Sequence, residues 1–147
     1  METKVKQPTA KQLAMSIAEF GDAKLLSFFA DTLNPEKMVA LAKQLECTLE
    51  EALTITESAY DTFEYGSEEY LILTDSEADD ANDQSIDNYI DECILPELPE
   101  QYRRYFDDEA FKNDARHDGR GNNLATYDGN EEYQDVDRST YYIYRTN

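Results

Sequence analysis

The chain has 147 residues, enough for one domain or a domain with a small extension, and a formal net charge of −20 that argues against direct binding of nucleic acid or anionic lipid. Hydrophobic residues make up 40% of it, with eleven Tyr among the aromatics, so the core is expected to use rings whose hydroxyls reach the surface. Cys47 and Cys93 are too few for a disulfide framework, and no apolar run approaches the ~18 residues of a membrane span, so a cytoplasmic protein with two buried thiols is expected.

Met1 to Gln7 is short and polar, and is expected to fray. Pro8 and Thr9 offer the start of a helix carrying Leu13, Ile17 and Phe20, with Gly21 as its stop. Asp22 heads a second helix with Leu25, Leu26, Phe28 and Phe29, which Asn34-Pro35 ends. Pro35 opens a third, whose buried side is Met38, Val39, Leu41, Ala42 and Leu45. Thr48 with Glu51 is a capping-box pattern and predicts a fourth helix to about Phe63. Residues 1–63 therefore read as a small helical unit.

Residues 64–147 read as an acidic α+β domain. Gly66-Ser67 punctuates the chain, and Tyr70 to Thr74 is rich in strand formers. Ser76 is expected to cap a helix running to Leu95, where Pro96 ends it. Two short helices, Glu100 to Tyr105 and Asp107 to Arg116, follow. Asp118 to Asn123 is dense in turn residues and reads as a loop. Strands are expected at Leu124 to Tyr127 and Thr140 to Arg145, with Glu131 to Asp137 as a mobile hairpin end. The expected fold is α+β: an N-terminal helical unit followed by a three-stranded antiparallel sheet packed by the acidic helix.

Charge is distributed unevenly. Glu46 to Glu100 holds eighteen Asp or Glu and no Lys or Arg. On the Ser76–Leu95 helix, Ala78, Ala81, Ile86, Tyr89, Ile90 and Cys93 share one side, while Asp80, Asp83, Asp87 and Asp91 cluster nearly opposite. Those four carboxylates step by roughly 4.5, 6 and 6 Å along the axis, comparable with the ~3.4 Å axial rise and longer backbone path between DNA phosphates. Like charges at such spacing cost a helix a few tenths of a kcal/mol per pair, and no base in the segment relieves them. A one-sign surface kept at that cost points to use as a binding face, with Glu97, Glu100, Asp107 and Asp108 extending the track.

Other chemistries are weaker. Asp80, Asn82, Gln84 and Asp91 fall loosely on calcium-loop positions, but Ser85 replaces the turn glycine and helical periodicity runs through the segment. Asp118, Asp128, Asn130 and Glu132 are a second loose oxygen set, the one place for a small metal-dependent enzyme. His117 is the only histidine and has no partner motif, and Gly119-Arg120-Gly121 lacks the Lys and Ser/Thr of a phosphate-binding loop. No catalytic residue, metal or cofactor is expected. Arg103, Arg104, Lys112, Arg116 and Arg120 stand among acids, so ion pairing within the chain explains them better than nucleic-acid binding.

Leu98-Pro99-Glu100, then Tyr105-Phe106-Asp107-Asp108-Glu109-Ala110-Phe111 and Asp114, resembles a segment of ArdA-type antirestriction proteins. Asn34-Pro35-Glu36-Lys37-Met38 to Leu45-Glu46 is a weaker echo, and the remainder looks more like uncharacterised phage proteins. Members of that family are acidic dimers that imitate bent DNA in the groove of type I restriction–modification enzymes. The resemblance implies an ArdA-like domain over 64–147, a phosphate-mimicking role for Asp107, Asp108, Glu109 and Asp114, and a homodimer as one assembly. Together these readings predict a non-enzymatic phage or mobile-element DNA mimic. Its expected partner is the basic groove of a host restriction–modification enzyme, or of a CRISPR effector as second choice. The alternative is a non-mimic interaction or regulatory module that binds through the N-terminal helices.

Overall fold

The computed structural model describes residues 7–59 and 61–147; the fraying expected of Met1 to Gln7 falls, but for Gln7, outside the described residues. Helices α1 (Ala10–Leu13), α2 (Asp22–Phe28), α3 (Pro35–Leu45) and α4 (Leu49–Ala52) come first. Strands β1 (Thr56–Ala59), β2 (Thr62–Tyr65) and β3 (Glu68–Leu73) lead into α5 (Asp75–Tyr89). Helices α6 (Glu100–Arg103), α7 (Asp108–His117) and α8 (Arg120–Leu124) precede β4 (Glu132–Val136) and β5 (Ser139–Arg145). The fold is α+β, but the expected three-stranded sheet is corrected to an antiparallel sheet of five strands in the order β1-β2-β3-β5-β4.

The two extra strands on one side come from the stretch expected to be a fourth helix. Its capping box forms, with the Thr48 side chain accepting from the Glu51 N–H, yet the helix ends after one turn at Ala52. Beyond it, Thr54, Ile55, Thr56, Thr62, Phe63 and Tyr65 are β-branched or aromatic and favour a pleated, half-buried surface. Gly66, at φ +61°, turns β2 into β3 over two residues, a conformation that disfavours any side chain.

Three further expectations are corrected. The first helix is broken, because Ser16 leaves it to bridge Thr48 and caps a separate 3₁₀ turn, Ile17–Glu19. Asp118 to Asn123 is no simple loop, since α8 begins at Arg120. The strand expected at Leu124 to Tyr127 is absent there. Its place beside β5 belongs to β4, in the segment expected to be a mobile hairpin end, with Tyr133 opposite Tyr142 and Gln134 opposite Tyr141.

Alternation along β3 and β5 builds three layers. Tyr70, Ile72, Tyr141 and Ile143 face the main core with Val39, Leu41, Phe63 and Val136, under α3. Leu73 and Tyr144, with Leu71 and Tyr142 beside them, face the opposite way and meet Ala78 of α5 with Leu124 and Ala125. Lys37, only 3% exposed, ties the layers by pairing with Asp61 (2.5 Å) and Glu77 (2.9 Å). The acidic helix therefore covers one face of the sheet and turns its far side to solvent.

Candidate partner-binding surface

Thr74, not the expected Ser76, caps α5: its side chain accepts from the Glu77 N–H, and Glu77 accepts in return from the Thr74 N–H. Ala78, Asn82 and Ile86 are the buried positions of the helix, and Ile90 continues that side. Asn82 is satisfied by Asn123 of α8, whose Nδ2 donates to its Oδ1 at 2.7 Å. After Tyr89 the backbone widens into a π turn, Ile90–Ile94, and then a 3₁₀ turn, Leu95–Glu97, so the expected helix to Leu95 is α-helical only to Tyr89. Proline at position 96 denies the chain a helical N–H, and the direction reverses. Cys93, expected to be buried, is exposed on this turn, whereas Cys47 is buried.

The returning helix α7 lies against α5. Phe111 stacks on Tyr89 with centroids 6.0 Å apart and rings 8° from parallel, and Phe106 supports Phe111 at 5.9 Å. Asp107 caps α7 by accepting from the Ala110 N–H. Lys112 then meets Asp87 at 2.5 Å and Arg116 meets Asp83 at 2.9 Å. The bond that Lys112 donates to Asp87 holds its ammonium above the usual pKa, and the bond that Arg116 donates to Asp83 does the same for its guanidinium.

Arg120 closes the other end of α5, reaching Asp75 (2.9 Å), Asp79 (3.1 Å) and Glu131 (2.9 Å) across the face of Tyr142. Burial opposes its charge, but the hydrogen bonds to Glu131 and Asp75 outweigh it and raise its pKa. Of the acids on α5, all but Asp80 are thus paired among the described residues, by bases that arrive from α3, α7 and α8.

The expected track divides accordingly. Asp83 and Asp87 are ion-paired through Oδ1, with 48% and 42% of their side chains still exposed. Asp107 serves as a cap. Asp80, Asp91, Glu97, Glu100, Asp108, Glu109 and Asp114 are exposed and make no ion pair among the described residues, and Glu92, which helical phase did not select, joins them. Among the described residues no group of three or more His, Cys, Asp or Glu has the geometry to hold a metal ion, and no helix is long and apolar enough to cross a membrane. The first loose calcium set lies within the continuous helix α5 and the π turn after it.

No protein-family model, curated protein or solved structure matches the chain.

Proposed function

We propose that this chain is a DNA mimic that inhibits a bacterial defence enzyme by occupying its DNA-binding groove, a type I restriction–modification enzyme first and a CRISPR effector second. The observation that carries the reading is the ridge from α5 through α7. There Asp80, Asp91, Glu92, Glu97, Glu100, Asp108, Glu109 and Asp114 stay exposed and, among the described residues, make no ion pair. The short ArdA-like segment at Leu98 to Asp114 adds the choice of target. Carboxylates fixed on a folded ridge replace phosphates, attract the basic groove at long range and need little ordering on binding. Asp83 and Asp87 take a second role in this reading: their pairs with Lys112 and Arg116 hold the two helices in register.

That division changes the test. Replacing Asp83 or Asp87 would loosen α7 as well as remove charge, so the informative variant is Asp80→Asn/Asp91→Asn/Glu97→Gln/Glu100→Gln. Capture of a protein from a restriction-proficient bacterial lysate is expected to weaken steeply with salt, to be competed by duplex DNA, and to fail with this variant. Salt-insensitive capture that the variant retains in full would refute the mimic reading.

One observation favours the alternative module. Leu33 is 93% exposed and directly precedes Asn34, which with Leu26, Ala30, Pro35 and Glu36 lines an open cleft of about 420 Å³. Partner capture lost on Leu33→Ser, but kept by the four-acid variant, would select that reading.

A further inference from the structure

The turn that carries α6 is a basic and aromatic island inside the acidic ridge. Arg103 donates from Nε to the Leu98 carbonyl at 3.1 Å. Arg104 lies 4.9 Å from the Tyr105 ring centroid and donates to its hydroxyl at 2.8 Å. Neither guanidinium meets a carboxylate among the described residues, in contrast to Lys112, Arg116 and Arg120 on the elements that follow. Tyr102 and Tyr105 are 55% and 68% exposed beside them. The turn is well fixed: Leu98 donates to Leu95, Tyr102 to Pro99, Tyr105 to Tyr102 and Phe106 to Arg103, each backbone to backbone. Asp91, Glu92 and Glu97 precede the island, Glu100 is the one acid within it, and Asp107, Asp108 and Glu109 follow it.

Exposed Tyr and Arg on a rigid turn are the residue types that dominate protein–protein binding energy. A purely phosphate-like surface has no use for two cations that pair with no carboxylate among the described residues. The charge pattern specifies its complement: a partner surface that is basic around a small group of carboxylates, with an apolar ledge for two tyrosines.

We infer that the Leu98–Phe106 turn is a specificity contact that seats on a carboxylate group inside the partner's otherwise basic nucleic-acid groove. Such a group is what a DNA-processing enzyme uses to hold a divalent cation at the phosphodiester. This inference rests on the mimic reading and names the part of the groove that the ridge reaches. The tyrosines would lie on the wall of that site, and the two guanidiniums would stand where the cation or its bound phosphate stands.

The test exploits opposed signs. Arg103→Gln/Arg104→Gln makes the chain more acidic by two charges from its starting value of −20. Charge attraction alone therefore predicts equal or tighter binding to a basic groove. A seated turn predicts binding weaker by about tenfold or more, as does Tyr102→Ala/Tyr105→Ala, since both pairs sit where hot-spot contacts form. Affinities are measured in the full-length chain against the protein that wild type captures and duplex DNA displaces. Circular dichroism checks that these exposed substitutions leave the fold intact.

Equal or tighter binding by the arginine variant overturns the inference and leaves the mimic reading standing. Salt-insensitive capture that the four-acid variant retains in full overturns the mimic reading instead. A photocrosslink from Tyr105→p-benzoylphenylalanine is expected on a partner peptide bearing two or more Asp or Glu, and a crosslink to a peptide without them overturns the inference. Sedimentation in which the arginine variant turns a wild-type dimer into monomers would assign the turn to a second copy of this chain, and overturns it as well.

Discussion

Helix α7 holds three of the exposed acids, yet no residue of it is fully buried, so its attachment to α5 is a separate and testable element of the ridge. Phe111 is the residue to remove. Its half-buried ring stacks on Tyr89 at 6.0 Å and touches Phe106 at 5.9 Å. Half the burial of a Phe side chain is worth about 1 kcal/mol, and two aromatic pairs add roughly 0.5–1.5 kcal/mol each. Allowing for incomplete additivity, Phe111→Ala should lower the free energy of local opening by about 2–3 kcal/mol, a roughly 30- to 150-fold rise in the opening equilibrium. Hydrogen exchange followed by mass spectrometry should show that gain in peptides spanning α6 and α7, with α3 and β5 unchanged. Asp83→Asn/Asp87→Asn should act on the same peptides in the same direction. Unchanged protection in α7 would refute the assignment of the aromatic stack as its anchor. An equal loss in α3 would show that α7 opens only with the whole molecule.

Two further outcomes test the scaffold. Lys37→Met removes the buried ammonium between Asp61 and Glu77, and should cost about 2–3 kcal/mol in urea unfolding, below the ~3–5 kcal/mol of a fully buried pair because both carboxylates keep contact with water. Burial pushes Glu77 up, but the Thr74 N–H and Lys37 outweigh it and lower its folded pKa below the ordinary 4.5. The unfolded chain therefore binds the proton more readily. This stabilisation is complete above about 4.5 and is lost as pH falls through the lower folded value, so Lys37→Met should flatten the acid limb of a stability–pH curve. Gly121→Ala would set a Cβ 2.7 Å from the Gly129 carbonyl oxygen and 2.9 Å from the Glu131 nitrogen, both backbone, and should cost about 1–3 kcal/mol in the same assay. Unaltered stability would mean that α8 shifts freely against the 129–131 segment.

What was legible in the sequence is what local physics decides. Pro35 marked the start of α3 because a first-turn proline lacks only an N–H that has no helical partner there, and the structure adds Asn34 as its cap. The strand formers of Tyr70–Thr74 and the Tyr and Ile of Thr140–Arg145 marked strands, and the phase of α5 separated Ala78, Ile86 and Ile90 from the aspartates. Gly66-Ser67 marked a break in the chain but not the β2–β3 hairpin, because the capping box at Thr48 points to a helix reaching Phe63. A cap specifies where a helix begins and says nothing of its length, which β-branched residues beyond Ala52 cut short.

The surface was harder to read because its charges are paired across a chain reversal. Asp83 and Asp87 lie four apart on α5, as do Lys112 and Arg116 on α7, and the members pair in opposite order: the earlier acid with the later base. The two position numbers add to the same total in both pairs, as they must when two helices run antiparallel. Tyr89 and Phe111 fit that register to within one residue, which is why the stack and both ion pairs form together. Proline residues 96 and 99 between the helices announced the reversal. Asp79, Asp83, Asp87 and Asp91 all lie four apart, so spacing alone admits several matches with Lys112 and Arg116; the antiparallel packing of the helices selects Asp83 and Asp87 and leaves Asp91 open to a partner.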